Sequence, residues 1–246
     1  MDTDFNGITA LVTGASRGIG ASVALQLAQR GADVVVNFRS KGPRAEEVAA
    51  QIEAAGRRAL LAQADLTELA DQERMAALVG QTFGRLDLLV LNASGGLEKD
   101  KPASYAMLLN QTAQVQTVDA LLPLMPAGGC IVFVTSHWAH FYGQQPVLPA
   151  YAPVAASKKA GEDALRARIP ELAARGVRLA VVSGDVIEGT ITPRLLDRAA
   201  PGAIAGRRAL VGALPTVEEF ARAIVDAAAD RSLPSGHTVF VGSTEA

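Results

Sequence analysis

Thr13-Gly14-Ala15-Ser16-Arg17-Gly18-Ile19-Gly20 joins two segments of opposite character. Before it, Ile8–Thr13 is a short apolar run of strand type. After it, Gly18–Arg30 carries Val23, Leu25, Leu27 and Ala28 at helical spacing, and Gly31 stands where a helix C-cap belongs. Glycines between a strand and a helix permit a tight turn and close approach of backbone to a phosphate. The helix N-terminus adds free N–H groups and the positive end of its dipole. In this strand–turn–helix context the loop reads as a cradle for a dinucleotide pyrophosphate.

The same alternation continues along the chain. Strands are expected at 33–37, 58–63, 86–91, 130–135, 177–183 and 238–241. Helices are expected at 43–55, 68–83 (with Thr67 as N-cap), 104–125, 153–175 and 217–229. Leu86-Asp87-Leu88-Leu89-Val90-Leu91 is nearly continuous in apolar residues, as in a strand covered on both faces. Repeated β-α-β units with short links predict one α/β domain over residues 1–246. Its architecture is a doubly wound parallel sheet of the Rossmann type, with about seven strands. Two stretches break the pattern: a loop at His137–Ala150, and Gly184–Pro215 after the sixth strand. Excursions at strand C-termini usually build the ligand site.

Composition narrows the function. The 246 residues are 49% hydrophobic and 20% charged, which excludes disorder. Lys+Arg number 23 against Asp+Glu 25, so no basic excess points to nucleic acid or an anionic membrane. Cys130, the only cysteine, reads as a buried strand thiol, and no Cys/His spacing suggests a metal site. Met1-Asp2-Thr3-Asp4 has no apolar leader character, and a cytoplasmic protein is expected.

The second strand indicates which dinucleotide. An NAD site places a carboxylate there for the ribose hydroxyls. This strand instead ends Asn37-Phe38-Arg39-Ser40-Lys41, with Arg17 in the glycine loop as a further cation. Guanidinium groups and a hydroxyl suit a 2′-phosphate, so NADPH/NADP+ is expected.

These features resemble the short-chain dehydrogenase/reductase family from Ile8 to Val241. Residues 13–20 resemble its TGxxxGIG loop. Asp65-Leu66 resembles its adenine-side acidic position, and Leu91-Asn92-Ala93-Ser94-Gly95 its NNAG motif. Asn110 opens a segment similar to the one holding the family's structural and relay Asn. Ser136 falls at the catalytic Ser position, and Ser157-Lys158-Lys159-Ala160-Gly161 resembles the SKxAG run. The resemblance implies hydride transfer between a nicotinamide and a carbonyl carbon of a small organic molecule. Gly14, Ser16, Arg17, Ile19, Gly20, Arg39, Ser40, Asp65, Leu66, Asn92, Ala93 and Lys158 are its expected cofactor contacts. Val186–Ile187 backbone and Thr190 would face the carboxamide.

One departure matters. The family pattern is Tyr-x-x-x-Lys on one helix face. Here Val154 stands four residues before Lys158, and the nearest tyrosine is Tyr151. Ser136 and Lys158 are also farther apart than in the family. The intervening loop holds His137, Trp138, His140 and Tyr142 in a chain only 4% aromatic. Three readings are open. Tyr151 replaces the missing hydroxyl, placed just before a helix that begins at Pro153; this reading is favoured. Alternatively His137, His140, Tyr142 or water gives the proton. Or no donor is needed, the substrate being an iminium or the protein only binding NADP(H).

The catalytic set is therefore Asn110, Ser136, Tyr151 and Lys158, with a reductase of a carbonyl or imine group as the expected function. The rival is a cofactor-binding protein with weak or no activity, acting in regulation or assembly. Residues 184–215 are expected to form a substrate lid. Asp185, Glu188, Arg194, Arg198, Arg207 and Arg208 read as solvated charges. The resemblance further implies a homodimer or homotetramer packed through helices 104–125 and 153–175, with Ala155, Ala156, Ala160 and Ala164 at the contact.

Overall fold

The computed structural model describes residues 4–98, 101–102 and 104–245. Met1–Thr3, part of the N-terminal reading above, lie outside the described residues. The chain runs β1 (Thr9–Val12), α1 (Gly18–Gln29), β2 (Asp33–Phe38), α2 (Gly42–Ala54), β3 (Ala59–Gln63), α3 (Leu69–Phe83) and β4 (Leu88–Leu91). It continues with α4 (Tyr105–Met107), a π turn (Leu108–Thr112), α5 (Ala113–Leu121), a 3-10 turn (Leu122–Leu124), β5 (Cys130–Ser136) and α6 (His137–His140). A 3-10 turn (Pro149–Tyr151) leads into α7 (Ala152–Ala167), followed by α8 (Ile169–Ala174) and β6 (Arg178–Gly184). The last elements are α9 (Ile191–Ala199), α10 (Ala203–Val211), α11 (Val217–Ala229) and β7 (His237–Val241).

All strand pairings are parallel, in the order β3-β2-β1-β4-β5-β6-β7. Side chains alternate across the sheet. Ala10 and Val12 of β1 face a core with Val23 and Leu27 of α1 and Phe220 and Ile224 of α11. Leu11 faces the other core, with Val79 of α3, Val118 of α5 and Leu165 of α7. Both faces are covered, so the strands need no polar side, and this explains their continuous apolar runs. Each fully buried Leu or Val contributes about 1.5–3 kcal/mol. Cys130 is a buried thiol at the start of β5. No described helix is long and apolar enough to cross a membrane.

Several boundaries differ from expectation for identifiable reasons. The helix expected over 104–125 is interrupted by the π turn centred on Asn110. The helix expected over 153–175 breaks at Arg168, because Pro170 lacks the N–H that a continuous helix needs. Thr67 is not an N-cap: Glu68 takes that position without a side-chain bond, and the Thr67 hydroxyl instead donates to Asp65 Oδ1 at 2.7 Å. The His137–Ala150 stretch is not a plain loop, since α6 opens it with Ser136 as N-cap. Ala155 is fully buried in its own chain, which removes it from the expected subunit contact.

Candidate functional site

The strand order reverses direction between β1 and β4, and the glycine loop and Asn92 lie at that switch point. In open parallel sheets this crevice is where ligands bind. Thr13 ties the two strand ends together. Its Oγ1 accepts from Asn92 N and Ala93 N, both at 2.9 Å, and Asn92 Nδ2 donates to Thr13 O at 2.9 Å. Asn37, buried at the end of β2, accepts from Gly14 N at 3.1 Å and donates to Ala62 O at 3.1 Å. Asn37 thus ties the glycine loop to the ends of β2 and β3. A Cβ on Gly20 would lie 2.5 Å from the Gly14 carbonyl oxygen, so helix α1 can meet the loop only with glycine there. Arg17, the N-cap of α1, makes no side-chain cap bond, and this leaves the first-turn N–H groups facing the crevice.

Ser16 sits in the same turn, and Ile19 lines the crevice. Arg39 and Ser40 are exposed at the end of β2. Arg39 Nη1 donates to Tyr105 Oη at 2.6 Å, a contact between distant segments that no local pattern announces. Asp65 is half-buried and accepts from Thr67 N at 3.0 Å, while Leu66 beside it is buried.

A cavity of about 320 Å³ opens beyond the ends of β5 and β6. Ser136, Tyr151, Val154 and Lys158 all line it. Ser136 Oγ lies 3.1 Å from Tyr151 Oη, within hydrogen-bond distance. Tyr151 reaches this place by a route different from the expected one. Ala152 is helical (φ −53, ψ −42), not extended, so Pro153 does not start the helix. The reason is local: Tyr151 N and Ala152 N both donate to Leu148 O, at 2.8 and 3.1 Å, and this turn overrides the bias that proline places on its predecessor. Trp138 packs on the Tyr151 ring with centroids 5.4 Å apart. Burial raises the Tyr151 pKa, with the Ser136 hydrogen bond opposing. Burial lowers Lys158 to about 8, opposed by the Glu162 charge.

Asn110 is buried in the π turn. Its Nδ2 donates to Gly95 O at 2.8 Å and Ser157 Oγ at 2.9 Å, and its Oδ1 accepts from Gly95 N at 3.2 Å. The side chain therefore fixes the loop after β4 against α7. A Cβ on Gly161 would lie 2.1 Å from the Asn110 carbonyl oxygen, so π turn and α7 meet backbone to backbone.

Of the other aromatic-loop candidates His137 lines the cavity, whereas His140 and Tyr142 do not. His137 Nδ1 lies 2.8 Å from Ser183 Oγ, and its buried Nε2 makes no hydrogen bond among the described residues. Burial lowers its pKa to about 4, so the ring is neutral at pH 7. His140 Nδ1 lies 3.0 Å from Glu162 Oε2. Tyr142 is 38% exposed on the outer surface. Phe141 stacks on Phe240 at 5.5 Å and anchors the loop to β7.

The late region departs from expectation. Val186, Ile187 and Thr190 line the cavity, with Thr190 Oγ1 donating to Ile187 O at 2.9 Å. Asp185 and Arg207 are not solvated charges. They form a two-pronged pair at 3.0 and 2.9 Å, with side chains only 4% and 9% exposed. Arg207 also donates to Ser243 O and Glu245 O, at 2.9 and 2.6 Å. Helix α10 is thereby fastened to both the cavity floor and the C-terminal segment. Arg208 pairs with Glu188 at 2.7 Å in a more exposed setting.

Comparison with known proteins agrees with this layout. The short chain dehydrogenase family model matches residues 8–198. Hydroxynaphthalene reductase arp2 of Aspergillus fumigatus is 34% identical over 205 residues, covering 80% of this chain and 72% of that protein. 1-Cyclohexenylcarbonyl-CoA reductase of Streptomyces collinus is 35% identical over 186 residues, covering 72% of this chain. The match spans 64% of that relative's length, which is less than two thirds. A short chain dehydrogenase from Burkholderia cenocepacia, crystallised in complex with NADP, superposes with a TM-score of 0.83 at 29% identity. That likeness covers 97% of this chain and 98% of the other.

Proposed function

Since the chain belongs to the short chain dehydrogenase family, we propose that it is an NADPH-dependent reductase of a carbonyl or imine group in a small organic molecule, with Tyr151 as proton donor. The observation that carries this reading is the Ser136–Tyr151 contact of 3.1 Å inside a cavity that Lys158 also lines.

The residues present fit the cofactor. The glycine loop leaves α1 N–H groups open for the pyrophosphate. Asp65 and Leu66 would contact the adenine side of the cofactor, and Asn92 and Ala93 would also contact it. Arg17, Arg39 and Ser40 offer cations and a hydroxyl to a 2′-phosphate, where a carboxylate would repel it. Lys158 would hold the nicotinamide ribose, and Val186, Ile187 and Thr190 the carboxamide. When bound, the cofactor supplies the hydride.

The chain's own residues handle the oxygen. Reduction of a ketone turns its oxygen into an oxyanion, which needs hydrogen-bond donors and a proton. Ser136 donates to that oxygen, and Tyr151 gives the proton. A phenol whose pKa burial has raised is protonated at neutral pH, as a donor must be. The Lys158 ammonium stabilises the phenolate that remains. Asn110 acts indirectly, by holding the loop after β4 and Ser157 in place. Helices α9 and α10 serve as the substrate lid within residues 184–215. Subunits would pack as a homodimer or homotetramer through the α5 and α7 faces, where Ala156, Ala160 and Ala164 remain half-buried.

The test is NADPH oxidation against a panel of ketones and imines. Turnover with any of them supports the reading. Tight NADPH binding without turnover on any would favour the binding protein instead. The phosphate assignment has its own test. Arg39→Ala is expected to weaken NADPH binding about tenfold, the loss of about 1.4 kcal/mol from one charge-assisted contact. NADH binding should be unaffected in the same titration, and an equal loss for both cofactors would place the 2′-phosphate elsewhere.

A further inference from the structure

Helices α6 and α7 enclose a carboxylate that the scheme above does not use. Glu162 is 1% exposed and lies four residues after Lys158, on the same face of α7. Both its oxygens are engaged. His140 Nδ1 lies 2.8 Å from Oε1 and 3.0 Å from Oε2, and Arg166 Nε donates to Oε1 at 2.8 Å. Arg166 is itself held, donating to Gly236 O and Thr238 Oγ1, both at 2.6 Å. The His140 ring is fixed edge-on between Phe141 and Phe240, at 4.9 and 5.2 Å. A buried carboxylate is costly unless paired and hydrogen-bonded. This one is held from two elements, one of them the aromatic loop that departs from the family pattern.

We propose that Glu162, clamped by His140 and Arg166, is a positioning residue that keeps the Lys158 ammonium charged beside the cavity. The proposal rests on the role given to Lys158 above. It assigns the aromatic loop a function other than proton donation: His140 reaches Lys158 through Glu162.

The electrostatics agree with the geometry. Burial works to raise the Glu162 pKa, but His140 and Arg166 outweigh it and hold the group below its ordinary value. Glu162 is therefore ionised at neutral pH. Lys158 is pressed down to about 8 by burial, and Glu162 opposes that fall. The charged groups in direct contact with Glu162 are Arg166 on its own helix and His140 on α6; Lys158, one helical turn earlier on the same face, lies beyond ion-pair distance and feels the carboxylate through space. Thr238 of β7 contributes only a hydroxyl, and His137 and Tyr151 lie on the cavity side. Lys158 loses its proton as pH rises through its pKa. Removing the Glu162 charge must move that loss to lower pH.

The experiment measures NADPH affinity and kcat/KM across pH for the wild type, Glu162→Gln and His140→Phe. In the wild type both quantities should fall near pH 8, where Lys158 deprotonates. In Glu162→Gln the fall is expected at least about half a pH unit lower, with the values below pH 6 retained. His140→Phe keeps the ring but loses the bond, and should move the fall the same way by less. An alkaline fall at the same pH in folded Glu162→Gln overturns the proposal. If Glu162→Gln does not fold, an unmoved fall in His140→Phe does so. A wild type that binds NADPH but turns over no substrate overturns the functional reading alone, because the affinity profile still reads Lys158.

Discussion

Tyr151→Phe is expected to lower kcat for ketone reduction by about 10²–10⁴-fold, the usual contribution of a positioned general acid, and to leave NADPH affinity unchanged. The substitution removes one oxygen from a buried ring. Trp138 packs against that ring, not against its hydroxyl, so the fold should persist. The alternatives make a different forecast. His137 lines the cavity with Nε2 unpartnered and Nδ1 held by Ser183 at 2.8 Å, but to act as the acid it would have to acquire a proton that burial opposes. Tyr142 would have to leave the outer surface. If the variant retains wild-type kcat, the proton comes from one of these groups or from water. Steady-state rates with the best ketone of the panel, together with NADPH titration, separate the cases.

The second large effect concerns stability. Arg207→Ala strands the Asp185 carboxylate in a site where its side chain is 4% exposed. Breaking one side of a buried ion pair costs about 3 kcal/mol, corresponding to a Tm decrease of about 6–12 °C in a chain of this size. The variant also releases α10 from Ser243 and Glu245, so KM for the substrate should rise more than kcat falls. Adding Asp185→Asn should recover part of the lost Tm, since the unpaired charge is then gone. Thermal unfolding of the single and double variants checks this. A Tm for Arg207→Ala equal to that of the wild type would mean that the pair contributes nothing and that α10 is held by other contacts.

The readable parts of the molecule were those whose signal is local. Thr13–Gly20 carries strand end, turn and helix start in one stretch, and the apolar runs of β1, β2, β4, β5 and β6 needed no tertiary information. Ser136 and Tyr151 were readable as partners because each sits next to an element boundary, although the turn that delivers Tyr151 was not. That turn depends on Leu148 accepting two hydrogen bonds, and it defeats the usual effect of Pro153. The π turn at Asn110 was hidden because a single π turn inside a helix is a rare, local change of backbone hydrogen bonding. Contacts between distant segments left no trace in the sequence: Asn37 on Gly14, Arg39 on Tyr105, His140 on Glu162, Asp185 on Arg207. Charged residues in an apparent loop resemble solvated ones until a partner far along the chain is placed against them.

The displaced tyrosine is most directly tested by a crystal structure of the protein with NADP+ and a bound alcohol or ketone, read at the substrate oxygen. The account predicts both Tyr151 Oη and Ser136 Oγ within about 3.2 Å of that oxygen, with Val154 forming only an apolar wall. A substrate oxygen held by His137 or by water, with Tyr151 turned from it, would contradict the account.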